Sequence, residues 1–178
     1  RELSRMIRQA NIDFVNLEDS NFDDPMGEAS GAGAIFGTTG GVMEAALRTA
    51  HEAITGKELK NIEFTEIRGV RGIKKAVVTI EGKEIKVVAA HGLSNARKVL
   101  DEIKSGKADY QFVEIMACPG GCVMGGGQPI VSSKKRMDID VRKLRTEALY
   151  TIDKESTLRK SHENPIVIKI YKDFLGDI

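Results

Sequence analysis

The sequence predicts an α/β fold, in which a mixed sheet is flanked by helices and followed by a helical C-terminal tail. Two observations predict the sheet. Short runs rich in β-branched residues alternate with helical runs, and an apolar run at 112–117 leads straight into a glycine-rich loop. The third observation is the tail, because residues 137–178 are mostly helical in pattern with charged faces. We therefore expect two parts, 1–136 and 137–178.

The composition excludes several classes of protein. The 178 residues include 27 Lys and Arg against 26 Asp and Glu, and a net charge of +1 argues against a dedicated nucleic-acid or membrane-surface role. No apolar run reaches the length of a membrane span, and no secretory segment is present. Two cysteines are too few for a disulfide framework, so a reducing, cytoplasmic compartment is expected. The opening RELSRMIRQA lacks an initiator Met, which suggests a processed product or a piece of a longer chain.

The first part begins with an amphipathic helix at 1–10. Residues 11–33 are polar and rich in Asp, Pro and Gly, which predicts a long loop or lid. A strong helix follows at 42–55 and ends at Gly56, a typical C-terminal cap. Its expected apolar residues are Val42, Ala45, Ala46, Ala50 and Ile54.

The predicted strands lie at 62–67, 76–80, 85–90 and 112–117. The middle two flank EGKE and form a hairpin. Further helices are predicted at 94–105, beginning at Ser94 or Asn95 and ending at Gly106, and at 140–150 and 165–175, with Pro165 in a first turn.

The stretch EIMACPGGCVMGGGQP, residues 114–129, holds the only two cysteines, Cys118 and Cys122, and five of the eighteen glycines. The spacing brings two sulfurs to one side of a tight loop. Gly120 and Gly121 allow the backbone to approach a bulky inorganic group, and their amides can donate to its sulfides. Gly125, Gly126 and Gly127 then turn the chain away from the site.

Other interpretations of this loop are a plain turn with two inert thiols, a zinc site or a redox dithiol. Zinc and dithiol sites both favour Cys-x-x-Cys, and zinc needs further ligands that the three His do not supply nearby in sequence. An iron–sulfur cluster needs about four thiolates, so a cluster here must take ligands from elsewhere.

A second glycine motif, FGTTGGVM at 36–43, enters the helix at 42–55, whose N-terminus is a good seat for an anion. It lacks the Lys of a phosphate-binding P-loop and the spacing of a dinucleotide fingerprint. Either the glycines serve close packing, or Phe36 and the Gly37 backbone wall a buried cofactor. In the second case Phe36 and Met116 lie on one side of the sheet, on the order of 10 Å apart.

Together these stretches resemble the catalytic domain of the iron-only (di-iron) hydrogenases. EIMACPGGCVMGGGQP resembles the family's third signature for the hydrogen-activating H-cluster, and DDPMGEASGAGAIFGTTGGVMEAALRTA resembles the segment before it. LRTEALYTIDKESTLRKSHENPIVIKIYKDFLG resembles the family's small-subunit-like C-terminal helices. By this resemblance, residues 1–136 are the C-terminal lobe of the catalytic domain and 137–178 are the small-subunit-like segment.

The resemblance implies a role for each site residue. Cys118 is a ligand of the 4Fe-4S subcluster, Cys122 also bridges to the di-iron subcluster, and Met116 and Phe36 line the di-iron pocket. Gly37, Gly120 and Gly121 bring the backbone against the cofactor. The implied partners are the upstream lobe of the same domain and ferredoxin-like or NAD(P)-linked electron-transfer modules, with no nucleic acid and no membrane span.

The chain departs from the family by lacking two of its signatures, and two alternatives to the resemblance stay open. The family's two earlier signatures, each with one cluster ligand, are absent from these 178 residues, so the isolated chain is expected to be inactive and to hold no H-cluster. Nar1-like iron–sulfur assembly proteins share a similar cysteine stretch without hydrogen chemistry. Pro129 and the segment FGTTGGVMEAALRTA favour a hydrogenase over that alternative. The other alternative is a plain α/β domain with an incidental loop.

Overall fold

The computed structural model describes residues 2–21, 23, 27, 29–59, 63–69 and 71–176. The regular elements are, in chain order, α1 (Glu2–Gln9), α2 (Gly31–Ile35), α3 (Gly41–Thr55), β1 (Ile73–Ile80), β2 (Lys83–His91), α4 (Leu93–Lys104), β3 (Phe112–Met116), α5 (Ser133–Asp138), α6 (Val141–Glu155) and α7 (Pro165–Ile170), which continues into a π-helical turn at Tyr171–Leu175. Single 3-10 turns occupy Phe14–Asn16, Thr65–Ile67, Cys122–Met124 and Ser161–Glu163.

The three strands form one mixed sheet in the order β1-β2-β3, which confirms the predicted α/β class. β1 and β2 pair antiparallel, and their hairpin turns at Glu81 and Gly82, which both have positive φ, as a type I′ turn requires. β3 pairs parallel to β2 because α4 crosses between them.

The central strand β2 is buried on both faces, so its alternate side chains enter two separate cores. Val87 and Ala89 pack with Met43 and Leu47 of α3. Val88 and Ala90 face the other side of the sheet, where α4 contributes Val99. The sheet is therefore held between α3 and α4, and the carboxyl end of β3 is left beside the N-terminus of α3.

One side of α3 buries charge in place of the apolar residues that the sequence predicted. Ala45 is buried as expected, but Ile54 is 59% exposed. Glu44 and Arg48 are fully buried instead. The physical reason is that this side of the helix faces α6, which supplies Asp153 as a partner for Arg48.

The buried Arg48 guanidinium is held by carboxylates from two helices. Its nitrogens donate to both carboxylate oxygens of Asp153, at 2.8 and 2.9 Å, and to Glu44 at 2.8 Å. Glu44 also accepts two hydrogen bonds from Arg68, and Asp153 accepts one from Arg159. Every buried charge in this network has an opposite partner, which is the condition under which buried ions are tolerated. The network fixes the C-terminal helices to α3.

The predicted strand at 62–67 is wrong. Ile62 lies outside the described residues, and Thr65–Ile67 form a 3-10 turn. Phe64 and Ile67 both pack into the core beneath α3, and residues three apart lie on the same side of a 3-10 turn. The spacing of these two apolar residues thus fits a turn better than the two-residue period of a strand.

The other element predictions are confirmed, with changes at their ends. α4 begins one residue early, because Gly92 takes the N-cap position with a φ of 79° and Asn95 donates its side chain to the His91 carbonyl. The predicted caps Ser94 and Asn95 are therefore wrong. α2 begins inside the predicted loop 11–33, where Ser30 caps it. No helix within the described ranges is both long and apolar enough to cross a membrane.

Replacing Asp153 tests the buried network. Asp153→Asn is expected to lower the free energy of unfolding by about 3 kcal/mol, because the Arg48 charge stays buried with one partner fewer. Burial alone would raise the pKa of Asp153, but hydrogen bonds from Arg48 and Arg159 outweigh it and leave the pKa lowered. The contribution is thus present above pH 3.8 and is lost as the pH falls below that value.

Urea unfolding at pH 7 gives the measurement. The matched control is Glu147→Gln on the same helix, whose exposed pairing with Lys143 is worth at most about 1 kcal/mol. Equal losses of unfolding free energy in the two variants would contradict the stabilising role of the buried network.

Candidate functional site

The cysteine loop leaves the sheet where the sequence places it. β3 ends at Met116, and Cys118 follows two residues later at the carboxyl end of the strand. Both Cys118 and Cys122 are free and exposed. Ligand sites in open α/β sheets gather at these strand ends.

Two consecutive turns fix the shape of the loop. The Gly121 amide donates to the Cys118 carbonyl at 3.0 Å, with Pro119 and Gly120 between them. Gly120 has a φ of +87°, and Pro followed by a glycine of positive φ is the pattern of a type II turn. A second turn follows, in which the Gly125 amide donates to the Cys122 carbonyl at 2.9 Å. Each thiol therefore sits at the first position of a tight turn.

The two glycine motifs, far apart in sequence, meet through their backbones. The Thr39 amide donates to the Gly120 carbonyl, and the Val123 amide donates to the Gly37 carbonyl, each at 3.1 Å. A Cβ on Gly121 would come within 2.7 Å of the Gly37 oxygen, so only glycine permits this approach. The structure thus brings together Gly37, Gly120 and Gly121.

The structure also changes the role predicted for one amide. The sequence assigned the Gly121 N–H to a cofactor sulfide, whereas it is engaged by the Cys118 carbonyl. Phe36 is 44% exposed at the C-cap of α2, and Met116 is half-buried at the end of β3. That these two side chains share one pocket stays a prediction.

The predicted anion seat at the N-terminus of α3 is filled by a carboxylate of the chain itself. Glu114, buried on β3, accepts hydrogen bonds from the Gly40 amide at 2.6 Å and the Met43 amide at 2.8 Å. These are orphan donors of the first helical turn, and the helix dipole favours negative charge there. Glu114 therefore ties β3, just before the cysteine loop, to the second glycine motif.

A buried lysine supports the same motif from β1. Lys74 is 4% exposed, and its ammonium donates to the Thr39 carbonyl at 2.6 Å and to the Gly69 carbonyl at 3.2 Å. Burial lowers the pKa of Lys74 to about 8, although the Glu114 charge opposes the shift. The loop before α3 is thereby held by a cation on one side and an anion on the other.

The helix α6 closes the site from the C-terminal segment. Arg145 donates to the Val123 carbonyl at 2.8 Å and to the Pro129 carbonyl at 2.9 Å. Leu149, one turn later, lies directly against Gly37, because a Cβ there would come within 2.7 Å of its methyl carbon. The same helix thus touches both glycine motifs.

Two groups of side chains could be considered as metal ligands in the described part of the chain. One is the cysteine pair. The other is Glu52, His162 and Glu163, whose donor atoms lie within 4.8 Å of one another. The Lys160 ammonium already pairs with Glu52 at 2.6 Å and Glu163 at 2.9 Å, so a cation occupies that second cluster. The thiols are left as the metal-binding candidates.

Sequence reasoning missed Glu114, Lys74 and Arg145. A signal existed for Glu114, since an acid within the apolar run FVEIMA must find a partner when the strand is buried. Lys74 carries a weaker signal as a charge at the start of a strand. Nothing in the sequence marks Arg145, which is one of several basic residues on a charged helix.

Two known families match separate stretches of the chain. Residues 1–126 match the family described as iron only hydrogenase large subunit, C-terminal domain. Residues 139–178 match the family described as iron hydrogenase small subunit.

Named relatives agree with these matches. The chain is 48% identical over 176 residues to the NADP-reducing hydrogenase subunit HndD of Solidesulfovibrio fructosivorans and to iron hydrogenase 1 of Clostridium pasteurianum, covering 99% of this chain in each case. It spans only 29% and 31% of the lengths of these relatives. A more distant relative, protein NAR1 of Arabidopsis thaliana, is 30% identical over 182 residues.

Solved structures give the same result. The FeFe-hydrogenase HydA1 from Chlamydomonas reinhardtii superposes with a TM-score of 0.70 at 40% identity. The superposition covers 98% of this chain and 50% of that one.

Replacing Glu114 tests the link between strand and helix. Glu114→Gln is expected to lower the free energy of unfolding by about 2 kcal/mol, because a charge-assisted cap on two helix amides becomes neutral. Glu84→Gln, an exposed change on β2, serves as the control in the same denaturation experiment and should stay within about 0.5 kcal/mol. An equal loss of unfolding free energy in the two variants would contradict the capping role of Glu114.

The pH dependence of stability tests Lys74. Its folded pKa of about 8 lies below the ordinary 10.5, so the folded protein releases this proton first as the pH rises. The cost of burying the charge is thus full below pH 8 and is relieved above it. Relative to Lys74→Met, the free energy of unfolding of the wild type should rise by about 1.4 kcal/mol per pH unit between pH 8 and 10.

Lys75→Met is the matched control for this pH series. Hydrogen bonds from the Lys75 ammonium to Glu102 and Tyr110 raise the pKa of this exposed lysine above 10.5, so it keeps its proton throughout the window. The difference in unfolding free energy between Lys75→Met and wild type should therefore stay constant with pH. If the difference for Lys74→Met is constant as well, a buried charge at position 74 is contradicted.

Proposed function

The chain belongs to the iron-only hydrogenase family, and from this premise we propose that it forms the C-terminal part of a hydrogenase catalytic domain. The reaction would be the interconversion of H2 with two protons and two electrons. The observation that carries the proposal is the junction of the two glycine motifs, which presents two free, exposed thiols on a preformed double turn.

The donor set fits one half of an iron–sulfur ligand shell. Cys118 and Cys122 supply two thiolates, whereas a 4Fe-4S unit needs about four, so the other two must come from outside these 178 residues. In the whole protein we assign Cys118 to the 4Fe-4S part of the H-cluster. Cys122 is assigned to the same part and to the bridge toward the di-iron part. This cofactor, when bound, supplies the redox chemistry of hydrogen.

The remaining site residues would shape the space around the cofactor. Gly37, Gly120 and Gly121 keep side chains out of the junction, so the backbone can lie close to an inorganic group. Phe36 and Met116 would form an apolar wall that excludes water from the di-iron part. Glu114 and Lys74 would act behind this wall, by holding the loop before α3 in place.

The partners and the division of the chain follow from the same proposal. Residues 1–136 would complete the site with the upstream lobe of the catalytic domain, and 137–178 would form the small-subunit-like segment. Ferredoxin-like or NAD(P)-linked modules would exchange electrons with the cofactor. The cytoplasm is the expected compartment. A 53% identical relative in Nitratidesulfovibrio vulgaris is named a periplasmic hydrogenase large subunit, so the compartment stays a prediction.

Iron–sulfur assembly is the second candidate function. The 30% identity to NAR1 supports it. By the resemblance described above, Nar1-like proteins also carry a similar cysteine stretch. The 48% identity to the two hydrogenases, over almost the same residues, gives hydrogen chemistry the stronger support.

A hydrogen assay on the whole protein tests the proposal. In a matured full-length enzyme, Cys122→Ser should reduce H2 evolution to background and lower the iron content, because one thiolate ligand is lost. Gly127→Ala is the control within the same loop, since a methyl group there meets open space. The isolated 178-residue chain should show neither activity nor an intact cofactor.

Two results would contradict the proposal. One is full activity in the Cys122→Ser enzyme. The other is an enzyme that binds iron through this loop and evolves no H2 under any reductant, which would favour the assembly function.

A further inference from the structure

Arg145 spans the glycine-rich end of the cysteine loop. One of its terminal nitrogens donates to the carbonyl of Val123, the residue after Cys122, and the other donates to the carbonyl of Pro129. Between these two anchors lie Gly126 and Gly127, where an added Cβ would point into open space. The guanidinium thus joins the two ends of a glycine-rich segment whose turns are closed by main-chain hydrogen bonds.

The position of Arg145 is fixed from both ends of α6. Asp140 caps the helix by accepting from the amides of Arg142 and Lys143. Farther along, Asp153 holds Arg48, and the Tyr150 ring lies 4.2 Å below the Arg68 guanidinium. Arg145 projects from the middle of a helix that is anchored independently, so its guanidinium is aimed at the loop.

We infer that Arg145 is a positioning residue for the cysteine loop, which sets the conformation of residues 122–129 and places a permanent positive charge next to Cys122. The inference rests on the proposed function, because it concerns a loop that would hold an iron–sulfur cluster. Because Arg145 lies in the small-subunit-like segment, this segment would contribute directly to the site.

Two separate effects follow from the chemistry of the side chain. The planar fork of guanidinium donors engages two carbonyls at once, whereas a lysine ammonium is a point charge without that geometry. The charge itself favours the more negative, reduced form of a nearby cluster, since net charge helps to set cluster potentials. Arg145→Lys removes mainly the first effect, and Arg145→Gln removes both.

The experiment uses the full-length hydrogenase, matured without oxygen. The midpoint potential of the 4Fe-4S part is measured by an electron-paramagnetic-resonance redox titration, and amide hydrogen exchange is followed in residues 122–129. In Arg145→Gln the ratio of reduced to oxidised cluster at fixed potential should fall about tenfold, which is about 59 mV for a one-electron couple. Arg145→Lys should keep the potential near that of wild type, but both variants should exchange the loop amides faster.

Lys143→Gln is the matched control. It removes the same charge from the same helix, but the Lys143 side chain is 68% exposed and pairs with Glu147 one turn along α6. It should change neither the potential nor the exchange rate. If Arg145→Gln matches this control in both measurements, the inference is overturned.

Failure of the role inferred for Arg145 can be distinguished from failure of the proposed function. When Cys122→Ser loses iron but Arg145→Gln behaves as wild type, the inference alone fails. If Cys122→Ser retains its full iron content, the proposed function fails first. Should Arg145→Gln not accumulate as a folded protein, Arg145→Lys decides the case, because unchanged loop exchange in that variant overturns the positioning role.

Discussion

The buried Arg48 guanidinium determines how the two ends of this chain come together. Asp153 lies far from Arg48 in sequence, and the bidentate pairing between them joins α6 to α3. A lone buried charge is costly, so the folded state must bring α6 against α3 to satisfy it. Once α6 is there, Leu149 reaches one glycine motif and Arg145 reaches the other. The geometry of the cysteine loop therefore depends in part on the ion pair that joins α3 to α6.

Around the site, buried charges take the place that apolar side chains hold in most cores. Lys74 and Glu114 form hydrogen bonds with the loop before α3. Glu44 and Arg48 form an ion pair within α3 itself. Such groups have strict geometric demands, because each must meet its partner in order to offset desolvation. Small displacements are therefore costly here, because hydrogen bonds weaken steeply as their distance and angle change. We regard this as a reason why a site that must hold atoms in fixed positions is built on ionic supports.

Local patterns in the sequence were sufficient for most elements and for the cysteine loop. The hairpin, the long helices and the strand that ends before Cys118 follow from periodicity, caps and turn residues. The strand predicted at 62–67 failed because Phe64 and Ile67 are spaced for a 3-10 turn, which a search for alternation overlooks. The contact between the two glycine motifs, and the roles of Glu114 and Arg145, depend on tertiary proximity. A single sequence does not encode that proximity in any local pattern.

The meeting of the two motifs is made almost entirely by main-chain atoms, and this has a consequence for sequence variation. The amides and carbonyls of Thr39, Gly120, Val123 and Gly37 are present whatever side chains the residues carry. Substitutions at 39 and 123 can therefore keep the hydrogen bonds of the junction, but they are limited by packing, because both side chains are buried and Thr39 also accepts a hydrogen bond from Lys74. Gly121 has no such latitude, because any larger residue would collide with the Gly37 carbonyl. Variation at the junction is thus expected to be absent at Gly121 and limited to side chains of similar size at 39 and 123.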